Sequence, residues 1–387
     1  MELIKEEKIL LKPKDILPSS PLVEVISVIN PAAIRLPNGN ILLYVRVIEK
    51  LIKDSDDKYY YSPRMTGKEK FNLILDRFDK DSVETKNLLD FVFKDGTKRL
   101  TFISHLRRII LDSFGFKIKS IEQKPGFFGL SWDGELGVED PRITKIKKLY
   151  VMTYVSLSRN TNVSTSIAIS NDCKKWYRRG IIFEEQNKDV VIFPEFINKE
   201  YVALNRPEGS FAFTHPHIWI SYSRNLEQWG KPKPLILSEK KGWDSSKVGA
   251  GPPPIKTKKG WLLFYHGVTE KTQRANMTAR LINKLLGKET KTFSYNIGVA
   301  LLDLNNPEKI LAKTKSPLIL PNKKYEKGTL EKKDVVFTTG IVVDKNNKNL
   351  LLYSGGGDIV TTIKKVSFDD VFEKMEKITK PLSFTAD

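Results

Sequence analysis

Ser170-Asn171-Asp172-Cys173-Lys174-Lys175-Trp176 returns 53 residues later as Ser223-Arg224-Asn225-Leu226-Glu227-Gln228-Trp229. Each copy carries a serine, an Asx residue two positions on and a tryptophan at one spacing; Leu111-Asp112-Ser113-Phe114-Gly115-Phe116 is a worn version. A second, more frequent unit couples a proline-led strand to a polar turn and an aromatic-rich strand. It reads Asn30-Pro31-Ala32-Ala33-Ile34-Arg35-Leu36, turn Pro37-Asn38-Gly39-Asn40, then Ile41-Leu42-Leu43-Tyr44-Val45-Arg46. It returns from Asp140-Pro141 to Tyr154, from Phe193-Pro194 to Leu204, from Pro253-Pro254 to His266, and from Val335 to Ser354. Short strands recurring at about 50 residues mark propeller blades, because one blade cannot bury both faces without neighbours. Five copies predict an all-β fold, a five-bladed β-propeller with residues 1–387 as a single domain. The alternative is a β-sandwich with accidental similarity, which would not explain the shared Ser-to-Trp spacing.

Two segments break the pattern. Residues 50–100 mix charged and apolar side chains without alternation, which predicts a helical insertion on the first blade. Residues 269–292 contain Met277-Thr278-Ala279-Arg280-Leu281-Ile282-Asn283-Lys284-Leu285-Leu286, whose apolar spacing and Gly287 stop predict a second one.

Composition excludes several classes. Of 387 residues 40% are apolar, with 20 Phe, 13 Tyr and 6 Trp, enough for a sizeable core and against wholesale disorder. No run of apolar residues is long enough for a membrane-spanning helix. The stretch Met1–Lys8 has no apolar signal core, which predicts a cytoplasmic protein. Cys173 is the only cysteine, and of four histidines only His215 and His217 are close in sequence, so neither a disulfide nor a metal site is expected. The net charge of +19 invites a nucleic-acid reading, but 46 acidic residues are interleaved with 65 basic ones, and the lysine runs fall at predicted turns. Solvated turns explain the charge, no nucleic-acid partner is expected, and the field would concentrate a small anionic substrate. Nothing in the sequence decides whether the chain forms a homo-oligomer.

The chemistry points to Gly137-Val138-Glu139-Asp140-Pro141-Arg142-Ile143-Thr144, two adjacent carboxylates before a proline and an arginine. The proline keeps Asp140 out of helical conformation and places it, extended or in a turn, at a chain corner. Arg142 is then positioned to orient a carboxylate. In a propeller the first strand of each blade lines the central channel. Asn30, Arg46, Asp140, Arg159 with Asn160, Lys188 with Asp189, Arg206, Lys247, Tyr265 with His266, and Asp358 all fall at equivalent ends of the repeat. A carboxylate among cations, with a histidine and a tyrosine, describes an anion site beside a general acid.

Six motifs together resemble glycoside hydrolase family 130, the β-mannoside phosphorylases with a smaller set of β-mannosidases. They are Gly137–Thr144, Asn187-Lys188-Asp189-Val190-Val191-Ile192-Phe193-Pro194, Arg206-Pro207, Gly249-Ala250-Gly251-Pro252-Pro253-Pro254-Ile255-Lys256-Thr257, Tyr265-His266-Gly267-Val268 and Gly298-Val299-Ala300-Leu301-Leu302-Asp303. The resemblance runs from Asn30 to Asp358 and implies a five-bladed propeller, in agreement with the repeat count. It implies reversible phosphorolysis of a β-1,2- or β-1,4-linked manno-oligosaccharide with inversion, giving α-mannose 1-phosphate. Inorganic phosphate is then the co-substrate and no cofactor is needed.

By that resemblance Asp140 is the general acid, passing its proton through the mannose 3-hydroxyl. Lys188, Arg206 and His266, with Tyr265 beside them, bind phosphate; Asn30, Arg46, Arg159, Asn160, Lys247 and Asp358 contact the sugar. The logic is physical: an inverting glycosidase needs a second carboxylate to activate water, whereas phosphate arrives as an anion and needs cations to align it. The chain departs from the family pattern in two places. Asn205-Arg206-Pro207 is followed by Glu208, a carboxylate that either weakens phosphate binding or acts as a base for water, and the end of the pattern reads Ser354-Gly355-Gly356-Gly357-Asp358. Two other readings remain open: a β-mannosidase using Glu195 or Glu208 as base, and a non-catalytic propeller binding glycans or polyanions.

Overall fold

The computed structural model describes residues 3–67, 70–209, 213–271, 292–327 and 334–378. Strand β1 (Ile4–Leu11) precedes the first blade. That blade holds β2 (Val23–Arg35) and β3 (Ile41–Leu51), then an insertion of β4 (Tyr59–Thr66), β5 (Asn72–Asp79), β6 (Val83–Lys86), β7 (Asp90–Phe93) and β8 (Lys98–Leu100), then β9 (Phe102–Leu111) and β10 (Ile118–Ile121). The second is β11 (Gly137–Ile146), β12 (Leu149–Ser158), β13 (Asn162–Ser170) and β14 (Tyr177–Phe183). The third is β15 (Asn187–Ile192), β16 (Tyr201–Pro207), β17 (Ile218–Ser223) and β18 (Trp229–Ile236). In the fourth, β19 (Lys247–Ala250) and β20 (Ile255–Thr257) are two pieces of one inner strand, followed by β21 (Gly260–Lys271), β22 (Thr292–Leu302) and β23 (Ile310–Lys313). Pro252, Pro253 and Pro254 cannot donate to a ladder, which accounts for the interruption. The fifth blade is β24 (Asp334–Val343), β25 (Asn349–Gly356) and β26 (Val360–Ser367), and β1 supplies its outer strand.

The blades form a ring. β2 packs against β11 and β24, β11 against β15, and β15 against β19, while β24 also meets β21. Each of the five large apolar clusters lies between two neighbouring blades. Because side chains alternate across a strand, β3 sends Ile41, Leu43 and Val45 toward the fifth blade and Leu42 and Tyr44 toward the second. Strands buried on both faces read as continuous apolar runs, as these do.

The Ser-to-Trp repeat is the turn between a blade's third and fourth strands. Ser170 Oγ accepts from Cys173 N at 2.9 Å and Asp172 Oδ1 from Lys174 N at 2.7 Å. Ser223 Oγ and Asn225 Oδ1 repeat this with Leu226 N at 3.0 Å and Glu227 N at 3.1 Å. Cys173 and Leu226 adopt positive φ of 56° and 69°. Asp112 accepts from Gly115 N at 2.8 Å in the worn copy.

The sequence expectations need two corrections here, and a third expectation falls largely outside the described residues. Residues 50–100 are a β4–β5 hairpin and a β6–β7–β8 sheet, not helices. They stack aromatics between two half-buried layers, Tyr60 on Phe91 at 5.0 Å and Phe78 on Phe93 at 4.9 Å, so neither face is polar enough to show alternation. The inner strand of the third blade is β15, and the Phe193-Pro194 segment is the turn leaving it. Of the second expected helix, residues 272–291 lie outside the described residues; Thr269–Lys271 and Thr292 end and begin strands. Among the described residues the one α-helix is Phe368–Glu373, capped by Ser367 Oγ accepting from Asp370 N at 3.1 Å.

The closing strand is tied in by a buried ion pair. Lys364 of β26 lies 2.6 Å from Glu326 Oε1, both side chains 0% exposed, and 3.5 Å from Glu7 of β1. Glu326→Ala is expected to destabilise the fold by about 3 kcal/mol, since it strands a buried ammonium with only Glu7 for partner. Replacing the pair together, Glu326→Leu with Lys364→Met, should recover most of the loss in a urea denaturation midpoint.

Candidate active site

In three blades the inner strand carries the same defect at the same height. Register shifts fall between Ile29 and Ala32, Glu139 and Arg142, and Lys188 and Val191. Asn30, Asp140 and Asp189 sit in these bulges with φ of 48°, 47° and 55°. Asn and Asp tolerate the left-handed region better than other residues with a Cβ, and bulges re-aim side chains. Pro141 therefore excludes right-handed helix at Asp140, as expected, but the residue is left-handed rather than extended.

Asp140 is held from one side. Asn30 Nδ2 donates to Asp140 Oδ1 at 2.8 Å, and Arg46 Nη1 reaches the same oxygen at 3.2 Å. Arg46 Nη2 pairs with Glu139, whose Oε1 also accepts from Ser104 Oγ at 3.2 Å. Asn30 can approach because Gly355 lacks a Cβ, which would lie 2.3 Å from Asn30 Oδ1. Burial pushes the Asp140 pKa up, but Arg46, Arg142, Lys188 and the Asn30 bond outweigh it, and the carboxyl is held below its ordinary value. Asp358, at φ 57°, adds its charge near Arg46.

Beside the acid lies a cationic cluster built around Asp189. Its carboxylate is 1% exposed and lies 2.5 Å from Arg206 Nη1, 3.4 Å from His266 Nε2 and 3.7 Å from Arg142 Nη2. Lys188 and Arg206 are cross-strand partners, a like-charged pair that favours an anion between them. Arg206 Nη2 meets Glu208, and Lys247 Nζ is 3.8 Å from the same carboxylate oxygen. Burial, with Arg206 and Lys188, pushes the Lys247 pKa down to about 8 despite Glu208.

Burial, with Arg206, Lys247 and Arg142, likewise pushes His266 down to about 3, so its imidazole is neutral. His266 Nε2 lies 3.0 Å from Arg206 Nη1, which can only donate. Nε2 is thus assigned as acceptor and Nδ1 as the N–H, buried with no hydrogen-bond partner among the described residues. Gly249 leaves space for the cluster, because a Cβ there would lie 2.3 Å from Asp189 Oδ2 and 2.7 Å from Arg206 Nη1.

The structure thus brings Asn30, Arg46, Asp140, Lys188, Arg206, Lys247 and His266 to one region, with Lys247 on the anion side rather than the sugar side where the resemblance put it. Tyr265 is not among them. Alternation sends it into the apolar cluster between the third and fourth blades, 5.5 Å from the Trp243 ring, while His266 faces Phe337 at 4.6 Å. Arg159 and Asn160 form the exposed β12–β13 turn, where Arg159 Nε meets Glu135 at 3.2 Å. Glu195 lies in the turn between β15 and β16, at the opposite ends of those strands from Lys188 and Arg206, and pairs with exposed Lys256. The sequence names Asp189, Glu139 and Arg142 without a binding role, and Tyr295, which stacks 6.1 Å from His266, goes unnamed. Equivalence of Asp189 with Asp140 across the repeat was the available signal.

Comparison with known proteins agrees. The model of the family Glyco_hydro_130, described as β-1,4-mannooligosaccharide phosphorylase, matches residues 61–377. A β-1,2-mannobiose phosphorylase of Listeria innocua serovar 6a is 30% identical over 375 residues, 96% of this chain and 97% of that protein. A 1,2-β-oligomannan phosphorylase of Thermoanaerobacter sp. (strain X514) is 34% identical over 238 residues, 61% of this chain and 70% of that one. The solved structure of the Listeria innocua β-1,2-mannobiose phosphorylase in complex with β-1,2-mannobiose has a TM-score of 0.78 at 29% identity, covering 94% of this chain and 96% of that one. A family match over most of the length and a relative aligned end to end lead to one conclusion, that the chain belongs to glycoside hydrolase family 130.

Proposed function

We propose that this protein is an inverting mannoside phosphorylase that cleaves β-1,2-linked manno-oligosaccharides with inorganic phosphate to give α-mannose 1-phosphate. The observation that carries this reading is the cluster beside Asp140: with Asp140 carrying the proton it donates, Arg142, Lys188, Arg206 and Lys247 face two ionised carboxylates among the described residues, Asp189 and Glu208. With His266 neutral, two positive charges are left over, the complement of a phosphate dianion. The names of two relatives, a β-1,2-mannobiose and a 1,2-β-oligomannan phosphorylase, favour the β-1,2 linkage.

In this mechanism Asp140 delivers a proton toward the glycosidic oxygen. Asn30 and Arg46 both hold Oδ1, so Oδ2 is the oxygen assigned to the transfer. Phosphate, held by Arg206, Lys188, Lys247 and the His266 Nδ1–H, attacks the anomeric carbon from the opposite face. It needs no base, because it is already ionised; alignment and charge neutralisation are what the protein supplies. Phosphate also offsets the field of Lys188 and Arg206, which raises the proton affinity of Asp140 when both substrates are present. A hydrolytic route would need a free second carboxylate to deprotonate water. Glu195 is too far round the blade for that, and Glu208 is engaged by Arg206.

Three outcomes are expected. Incubated with β-1,2-mannobiose, the protein should release α-mannose 1-phosphate only when phosphate is supplied; equal release of free mannose without phosphate would reject the reading. Asp140→Asn should lower kcat by about 10²–10⁴-fold with an unchanged circular dichroism spectrum and Tm. Lys247 loses its charge as pH rises through about 8, so the KM for phosphate should climb above that pH. Lys247→Met should show a high KM that no longer changes there.

A further inference from the structure

Glu208 has no part in the mechanism above, yet its carboxylate lies against the phosphate cations. Its backbone is fixed, with the N–H donating to Gln186 O at 2.7 Å, where β16 ends. The side chain turns inward, so that Arg206 is gripped at both ends of its fork, Nη1 by Asp189 at 2.5 Å and Nη2 by Glu208. The two carboxylates are not equivalent. Asp189 is 1% exposed and answers to both Arg206 and Arg142, so removing it would leave two buried guanidiniums without that counter-charge. Glu208 is 19% exposed and holds Arg206 closely with Lys247 at a looser 3.8 Å. Of the two, only Glu208 has solvent to move into.

On the basis of the phosphorylase reading, we propose that Glu208 is a built-in competitor for inorganic phosphate, its carboxylate occupying Arg206 Nη2 and Lys247 until the substrate anion displaces it. A carboxylate presents two oxygens and a single charge to these donors, whereas phosphate brings more oxygens and more charge, so the exchange runs toward phosphate once its concentration is high enough. The energetic effect is that of a binding-competent state populated only part of the time. The apparent affinity falls by the fraction of molecules in which Glu208 has swung away. Glu208 therefore sets the phosphate concentration at which the enzyme works without touching the sugar.

Glu208→Gln and Glu208→Ala test this, with inorganic phosphate as the probe, at fixed ionic strength and without sugar, by isothermal titration calorimetry and by the phosphate-induced shift in Tm. The expected result is phosphate binding about tenfold tighter in both variants. In phosphorolysis of β-1,2-mannobiose the KM for phosphate should fall by a similar factor, with the KM for the disaccharide within about twofold of the parent. Unchanged or weaker phosphate binding in the soluble, folded Gln variant would overturn the proposal and make Glu208 a positioning residue for Arg206. Loss of phosphate-independent mannose release in that variant would instead mark Glu208 as a base for water. The parent's phosphate requirement is read separately: if it fails, the phosphorylase reading falls, while the titration still decides whether Glu208 and phosphate compete.

Discussion

Cations do not gather in a protein interior unless something negative is buried with them. Here that something is Asp189. Arg142 and Arg206 are buried and converge with half-buried Lys188 from two adjacent blades, and Lys247 joins them from a third, in a region where water screens their repulsion only from one side. Asp189 draws its carboxylate into their midst, and burial, which would favour its neutral form, is outweighed by Arg206, Arg142 and Lys188. The arrangement is rigid because each partner has a second anchor. Arg142 Nε donates to Gly251 O at 2.6 Å, and Arg206 N donates to Asn187 Oδ1 at 3.1 Å. What the cluster then offers a ligand is a fixed surplus of positive charge, pre-oriented before any substrate arrives.

The ring explains how so many polar side chains come to one place. A bulge in an inner strand costs backbone strain on the order of 1–3 kcal/mol, and here it is made three times, at Asn30, Asp140 and Asp189. Each time the result is a short polar side chain turned into the channel rather than along the pleat. In the proposed mechanism one such position supplies the acid, its neighbour on the preceding blade holds that acid, and its neighbour on the next blade organises the anion site. Three repeated units have thus diverged into three chemical roles while keeping one backbone shape.

Much of this was legible in the sequence, and the failures share a cause. The blade count follows from the five proline-led strand units, and the Asx turns at Asp172 and Asn225 mark the last turn of two blades because a side chain bonding its own turn leaves a local signature. The convergence of Asp140 with Lys188, Arg206 and Lys247 followed from motif and position. Tyr265 was misplaced because adjacency in sequence was taken for adjacency in space, whereas neighbours on a strand face opposite ways. Arg159 and Asn160 lie at the expected end of the blade, yet Glu135 takes up Arg159. Asp189 stands in the sequence among the polar residues at the equivalent ends of the repeat but carries no assigned role there, because no proline follows it, as Pro31 and Pro141 follow Asn30 and Asp140. The β4–β8 insertion was taken for helix, since a layer packed on both sides loses the polar alternation by which strands are recognised.

The pairing of β1 with β26 carries a consequence for how the molecule is made. Lys8 lies opposite Ile363, so a strand emerging early from the ribosome has to wait, unpaired, for nearly all the rest of the chain to be synthesised. Until then the fifth blade lacks its outer strand, and the cluster that buries Leu10 and Leu11 lacks its fifth-blade side, Val342, Leu351, Tyr353 and Ile363. Contacts this distant in sequence slow folding and lengthen exposure to aggregation. Once the strand has docked, the same distance makes the circle hard to reopen, because no blade can leave without breaking two interfaces at once.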